Sequence, residues 1–364
     1  MHVRDFCGRI WSEKLKRTGN MKQNRSVLFI VLLILVMTGG FWAWKGMNSS
    51  KPYKETQFLM DTIIEITAYG PNREEAVKAA FDEYRRLHVL TNNFDANSQV
   101  SKINQMAGKE KVVVDPDLVQ MIKRSVEMAD KLDGAIDITV GPLTDLWGIG
   151  RKGDFVPSQA QIQAVLPLVN YRLVQIDEKN NTVYLPKAGM MLDLGAVAKG
   201  YATDKAIEIL KEKGIKSALV NAGGDVRVIG TRPDGKPWRI GVQDPRNENG
   251  VSAKMALTPW DTMETSGDYQ RYIMHNGVRY CHILDPHTGW QPKSGVASVT
   301  IVNNNSGDGD LFSTALFVLG PEKGLEKLRQ FPGNEAIMIM TDGRVIVTPG
   351  LKGKVELTGK SGDQ

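Results

Sequence analysis

The sequence contains very few cysteines: Cys7 and Cys281 are the two found in 364 residues. A chain of this length can bury a large core, so it does not need disulfides for stability. The sequence also lacks a Walker-type phosphate loop, a GxGxxG dinucleotide fingerprint and a serine nucleophile elbow. These absences argue against the P-loop, Rossmann and α/β-hydrolase classes. We find no internal repeat and no low-complexity tract.

The main part of the chain lacks an excess of positive charge. The formal net charge is +5, but residues 1–25 contain seven Lys or Arg and two acidic residues, and the remainder balances at 39 of each sign. Because nucleic-acid binding needs a basic surface, this balance predicts that nucleic acid is not a partner.

One long hydrophobic run is present, and it predicts a membrane segment. Residues 27–37 are apolar without interruption, and the apolar character resumes at Phe41–Trp44. We expect a single transmembrane helix at 26–46, because about 20 apolar residues cross a bilayer. The basic residues 1–25 would remain cytoplasmic, which makes this a single-pass cell-membrane protein whose main domain is extracytoplasmic. A cleaved signal peptide is the alternative, although bulky Phe41–Trp44 offers no small-residue cleavage site.

Beyond a polar linker at 47–56, the pattern predicts one domain at 57–360 that mixes strands and helices. Alternating apolar residues predict a strand at Phe58–Tyr69, and helical spacing predicts a helix at Asn72–Leu90. Asp115-Pro116 is typical of a helix start, and Asp342-Gly343 between two apolar runs is typical of a hairpin. Because regular βαβ alternation is missing, we predict an α+β fold with mixed or antiparallel sheets and packed helices.

The segment Asp193–Asp204 indicates a site for an anionic ligand. Its apolar residues recur with helical spacing, and it lies between two strand-like runs. A helix start exposes free N–H groups and the positive end of the dipole, where phosphates bind well. The segment also carries one carboxylate, Asp193, and one ammonium, Lys199.

Asp310 and Thr314 form a second candidate site. If this segment is helical, two oxygen-bearing side chains four residues apart share one face. Such oxygens are the ligands that Mg²⁺ prefers, and the ion usually completes its coordination with water and substrate phosphates. Ordinary helix capping by polar residues near a helix start explains the same pattern, so both interpretations remain open.

His282 and His287 flank an Asp-Pro turn, in a chain with five histidines in all. A histidine at this place could accept a proton from an attacking hydroxyl. An exposed turn histidine beside a structural bend is the alternative. The pair is a poor zinc motif, because no third ligand is evident.

Taken in order, these segments resemble the ApbE family, the FAD:protein FMN transferases. The resemblance covers about residues 55–350, and the matching segments occur in the family's order. They are Met60-Asp61-Thr62, Phe94-Asp95, Gly134–Asp137 with Val140–Leu143, Asp193–Tyr201, Asn221–Asp225, Thr265–Gly267, His282–Pro286 with Thr288-Gly289, and Asp310 with Thr314. Each segment is a weak signal alone, whereas the ordered set is highly specific.

The resemblance implies an ApbE-type, T-fold-like α+β domain that is a Mg²⁺-dependent enzyme. It would transfer FMN from FAD to a threonine hydroxyl of a partner protein and release AMP. The resemblance implies that Asp310, Thr314 and the backbone carbonyl of Ala196 hold Mg²⁺, and that His282 is the catalytic base. The implied FAD contacts are Met60, Phe94, Ala135, Ile136, Asp137, Asp193, Lys199 and Ile283.

The implied partners are FAD, the membrane and an acceptor protein. The acceptor would be an FMN-binding domain or a membrane redox subunit that carries the modified threonine. Two other functions stay open from the sequence: a FAD pyrophosphatase that gives FMN and AMP, and a non-catalytic membrane-anchored flavin-binding protein.

Overall fold

A computed structural model of the chain describes residues 51–358. The strands are β1 (Tyr53–Leu59), β2 (Thr62–Tyr69), β3 (Val112–Val113), β4 (Gln175–Asp177), β5 (Thr182–Tyr184), β6 (Ser217–Ala222), β7 (Asp225–Ile229), β8 (Arg239–Asp244), β9 (Asn247–Ala256), β10 (Thr262–Gly267), β11 (Tyr272–His275), β12 (Val278–Cys281), β13 (Val296–Asn303), β14 (Glu335–Met340), β15 (Val345–Val347) and β16 (Val355–Leu357). The α-helices are α1 (Arg73–Thr91), α2 (Gln99–Gln105), α3 (Pro116–Lys131), α4 (Gly141–Trp147), α5 (Gln159–Val165), α6 (Ala198–Glu212) and α7 (Ser306–Leu328).

An antiparallel sheet of eight strands forms the centre of the fold, in the order β1-β2-β6-β7-β10-β13-β14-β15. Every neighbouring pair in it is antiparallel. Two three-stranded sheets, β16-β9-β8 and β3-β5-β4, and the hairpin β11-β12 complete the strands of the described range. The predicted antiparallel α+β architecture is therefore confirmed.

The large sheet separates two hydrophobic layers. Ile64 and Ile66 of β2 and Val220 of β6 pack in one core with the helices α1, α6 and α7. Val228 of β7 packs in the other core with Trp238 and residues of β8 and β9. Because successive side chains of a strand point to opposite faces, one sheet serves both layers.

Several predicted elements are confirmed. The predicted helix at Asn72–Leu90 is α1, and α3 begins at Pro116 after Asp115, whose side chain accepts a hydrogen bond from Asp117 N. The Asp342-Gly343 hairpin is the β14–β15 connection.

The single strand predicted at Phe58–Tyr69 is wrong, because the segment holds a turn between two strands. Met60 and Asp61 have positive φ angles of 53° and 60°, and Leu59 pairs with Thr62 across the turn. Such a two-residue turn usually carries Asn-Gly or Asp-Gly, whereas this turn consists of Met60 and Asp61. The strand β1 consequently begins within the residues predicted as a linker, 47–56.

No helix in residues 51–358 is long and apolar enough to span a bilayer. The predicted cytoplasmic segment 1–25 and membrane segment 26–46 lie outside the described residues.

Candidate active site

The starts of helices α6 and α7 lie in direct contact. The Asp204 carboxylate accepts hydrogen bonds from Ser306 N and Gly307 N, at 2.9 and 3.0 Å. A Cβ atom on Gly200 would lie 2.2 Å from the carbonyl oxygen of Ser306, so this close approach requires glycine. The contact brings the segment around Lys199 beside Asp310.

Asp310 is a buried carboxylate at this junction, 6% exposed. One of its oxygens accepts a hydrogen bond from Gly200 N at 2.7 Å, and the other accepts one from Lys199 Nζ at 3.0 Å. Lys199 also forms an ion pair with Asp225, whose other oxygen accepts a hydrogen bond from Thr265 N at 2.6 Å. The Lys199 ammonium therefore links two buried carboxylates that lie 85 positions apart in the sequence.

Thr314 lies one helical turn after Asp310, as the spacing predicts. Its hydroxyl is 3.2 Å from Ser266 Oγ of β10, which is also 2.8 Å from Ser313 Oγ. Thr314 is partly exposed, unlike its buried neighbour Ser313.

The carbonyl of Ala196 is available as a further oxygen ligand. In a regular helix it would accept the N–H of Gly200, but that N–H donates to Asp310 instead. Within the described residues, Ala196 O accepts no backbone hydrogen bond outside regular elements. A carboxylate, a hydroxyl and an open carbonyl are the oxygen donors that Mg²⁺ takes, so these residues fit that ion.

Glu264 is a functional candidate that the sequence analysis missed. It is fully buried on β10, and one of its oxygens accepts a hydrogen bond from Thr262 Oγ1 at 2.6 Å. Burial, followed by the negative charge of Asp310, raises the pKa of Glu264 to about 8. The sequence did carry a signal for this residue. In a strand, residues two positions apart lie on one face, so Glu264 shares its face with Thr262 and Ser266.

His282 follows β12, and its ring is held by one backbone group. Its Nδ1 lies 3.2 Å from the carbonyl oxygen of Arg271. Because a carbonyl only accepts, this hydrogen bond requires the proton on Nδ1 and leaves Nε2 as an acceptor. Burial, followed by the positive charge of Arg271, lowers the pKa of His282 to about 4. The imidazole is therefore neutral at pH 7.

An ion pair connects Arg271, whose carbonyl holds the His282 ring, to the β1–β2 turn. Arg271 Nη1 donates to Asp61 Oδ2 at 2.8 Å, and the neighbouring Met60 N donates to His88 Nδ1 at 3.2 Å. This contact brings together two predicted site segments that lie more than 200 positions apart.

The predicted FAD contacts differ in what their side chains can offer. Phe94 is 58% exposed, and the Arg151 guanidinium lies 4.5 Å from its ring centre. Ala135, Ile136 and Ile283 have their side chains in the core, which leaves their backbone groups for a ligand.

Asp137 and Asp193 organise the turns in which they lie. Asp137 accepts hydrogen bonds from Thr139 N and Tyr171 N, at 2.7 and 2.9 Å, and burial raises the pKa of its carboxyl. Asp193 Oδ2 accepts from Thr144 Oγ1 at 2.8 Å, and Asp193 N donates to Ile138 O at 2.7 Å. These bonds join the turn around residue 137 to the segment that carries Ala196 and Lys199.

His287, the other histidine of the Asp-Pro turn, is exposed, and its Nε2 lies 3.0 Å from Asp133 O. His287 therefore fits the alternative interpretation of this turn, an exposed histidine beside a structural bend.

Both the sequence and the fold are similar to those of proteins named as flavin transferases. A FAD:protein FMN transferase from Klebsiella pneumoniae (strain 342) is 34% identical over 302 residues, which cover 83% of this chain and 93% of the relative. The enzyme of the same name from Treponema pallidum (strain Nichols) is 33% identical, with 86% and 91% coverage. The crystal structure of the ApbE protein from Thermotoga maritima superposes with a TM-score of 0.77 at 36% identity, covering 84% of this chain and 99% of that protein.

The fold and these relatives define an enzyme of the transferase class. The sequence profile of the ApbE family matches residues 60–338, and the chain belongs to this family. The family and the enzyme class predicted from the ordered segments are therefore confirmed, together with the ApbE-type fold.

Proposed function

We propose that this chain transfers FMN from FAD to a threonine hydroxyl of a partner protein, with Mg²⁺, and releases AMP. The observation that supports the proposal is the contact of the Asp310 carboxylate with Lys199 Nζ and Gly200 N, which joins the helix that carries Thr314 to the segment that carries the open Ala196 carbonyl. The names of the relatives support FAD as the donor and a protein as the acceptor.

Asp310, Thr314 and Ala196 O would hold the Mg²⁺ ion, which supplies charge neutralisation for the pyrophosphate when bound. Lys199 adds a positive charge at the start of α6, where free N–H groups also favour phosphate. Phosphoryl transfer depends mainly on positioning and charge stabilisation, which these groups would provide.

His282 would act as the base in this reaction. Its neutral ring accepts the threonine hydroxyl proton at Nε2, because Nδ1 already donates to Arg271 O. The threonine oxygen then bonds to the phosphorus of the FMN part. The bond from that phosphorus to the bridging oxygen breaks, and AMP leaves with that oxygen.

The remaining predicted contacts would bind FAD around this centre. Phe94 offers an aromatic face. Met60 precedes Asp61, which pairs with Arg271, the residue whose carbonyl holds the His282 ring. Ala135, Ile136 and Ile283 would contribute backbone groups, and Asp137 and Asp193 would shape the turns.

We also propose that segment 26–46 anchors the enzyme in the cell membrane with the catalytic domain outside. An acceptor that is itself a membrane redox subunit, or an FMN-binding domain next to the membrane, would then lie within reach.

The proposal is tested by intact-mass measurement on an acceptor domain with a single threonine. The full chain in detergent, with FAD and Mg²⁺, is expected to add one FMN unit, and EDTA or an acceptor Thr→Ala change should abolish it. Asp310→Asn should also abolish the gain. The control Asp308→Asn should retain activity, because that nearby carboxylate pairs with Arg124 instead.

Two results would contradict the transferase. Free FMN and AMP without a change in acceptor mass would indicate a pyrophosphatase. Bound FAD without either product would indicate a flavin-binding protein.

A further inference from the structure

We infer that Glu264 is a further metal-binding residue, which supplies a second carboxylate to the divalent cation held at Asp310. This inference rests on the proposed function, because it concerns the same cation. One oxygen each of Asp225, Glu264 and Asp310 lies within 4.8 Å of the other two, and all three residues are buried.

The free oxygen of Glu264 is the observation that points to a ligand. Glu264 Oε2 is fully buried and has no hydrogen-bond partner among the described residues, whereas Oε1 is bonded by Thr262. Burying a polar atom without a hydrogen-bond partner is unfavourable, so a carboxyl group with a purely structural role would be expected to use both oxygens.

The charges of the cluster favour a divalent cation. Three carboxylates face one ammonium, because Lys199 pairs with both Asp225 and Asp310 and Glu264 has no ion pair within residues 51–358. When all three carboxyl groups are ionised, two negative charges remain, and one divalent cation would balance them and favour that ionised state. One oxygen each of Glu264 and Asp310 lies within 4.8 Å of the other, so the two carboxyl groups are close enough to be joined by one divalent cation.

The same two elements position Glu264 and the predicted ligand Thr314. Ser266 of β10 contacts Thr314 of α7, and Glu264 lies two residues earlier on the same strand face. A Cβ atom on Gly309 would lie 2.5 Å from Glu264 Cγ. The helix therefore carries glycine where the glutamate side chain passes it, directly before Asp310.

The test measures cation binding without FAD, by calorimetry with Mg²⁺ or Mn²⁺ on the full chain in detergent. Glu264→Gln keeps the side-chain size and removes the charge, so it should weaken binding by about 10–100-fold. The matched control is Glu65→Gln, a partly exposed strand glutamate paired with Lys54. Glu264→Asp, which keeps the carboxylate, should bind more tightly than Glu264→Gln.

Thermal unfolding provides a second readout that a purely structural role would not give. In EDTA, Glu264→Gln should melt at the same temperature as the wild type or higher, because it removes an acidic group from a buried site that also holds Asp225 and Asp310. The rise in melting temperature on adding Mg²⁺ should shrink. Wild-type cation affinity and an unchanged Mg²⁺-induced rise in both Glu264 variants would overturn the inference.

Asp310→Asn separates this inference from the proposed function. If Asp310→Asn loses cation binding and Glu264→Gln does not, only the inference about Glu264 fails. If Asp310→Asn also binds normally, the metal site of the proposed function is wrong as well.

Discussion

His282 carries the clearest prediction for a single residue. Since its pKa is lowered to about 4, its ring stays neutral from pH 8 down to about pH 5. The unfolded chain binds this proton near pH 6.5, so His282 reduces folding stability as the pH falls from about 6.5 toward 4. NMR titration of the imidazole protons, with the signal assigned by its loss in His282→Gln, should give a midpoint near 4. A midpoint near 6.5 would contradict the environment described for this ring.

The proposed role of His282 as base predicts a selective loss of rate. His282→Ala should bind FAD normally and transfer FMN about 10²–10⁴-fold more slowly, the usual effect of losing a general base. His287→Gln is the matched control and should leave the rate unchanged, because that side chain contacts Asp133 O at the surface. Loss of FAD affinity in His282→Ala would indicate a binding role.

Two substitutions distinguish the contribution of the Thr314 hydroxyl from the contribution of the side-chain volume. Thr314→Ser keeps the oxygen and should retain Mg²⁺-dependent turnover, whereas Thr314→Val keeps the shape and should lose at least about tenfold. Steady-state rates over a range of Mg²⁺ concentrations measure the difference. Equal rates in the two variants would mean that Thr314 only packs against Ser266.

At the scale of elements, the contact between the starts of α6 and α7 places Asp310 beside Lys199. Gly200→Ala places a methyl group 2.2 Å from Ser306 O, so the helices must separate. We expect a loss of about 1–3 kcal/mol in the free energy of unfolding, together with weaker Mg²⁺ binding because Asp310 shifts away from Lys199. Glu212→Ala at the exposed end of α6 is the control and should change neither quantity. Denaturant unfolding with and without Mg²⁺ measures both, and a wild-type result for Gly200→Ala would mean that the junction adapts.

For the whole molecule, the testable proposal concerns the membrane. The full chain should sediment with membranes and require detergent for release, whereas residues 47–364 should remain in the supernatant, because the apolar run at 26–46 is removed. Cell fractionation with an antibody against the catalytic domain makes the measurement. A full chain found in the supernatant after lysis would contradict the anchor.

The sequence by itself determined the features that depend on neighbouring residues. The start of α3 at Asp115-Pro116 and the turn at Asp342-Gly343 are local, because a cap or a tight turn involves residues only a few positions apart. The ordered motifs also determined the family, and the spacing of Asp310 and Thr314 determined their common helix face. The sequence did not predict the turn at Met60-Asp61. A two-residue turn leaves the alternation of apolar and polar residues unbroken, so two paired strands give the same pattern as one strand.

Only the tertiary structure decided which distant groups meet. Lys199 reaches Asp310 and Asp225 because an antiparallel sheet brings β7 and β10 beneath the helix junction. The partner of His282 Nδ1, the open carbonyl of Ala196 and the unpartnered oxygen of Glu264 depend equally on contacts across the fold. Burial and charge shift the pKa of a side chain only once these contacts exist, so the sequence could name Asp310 and His282 but could not reveal Glu264.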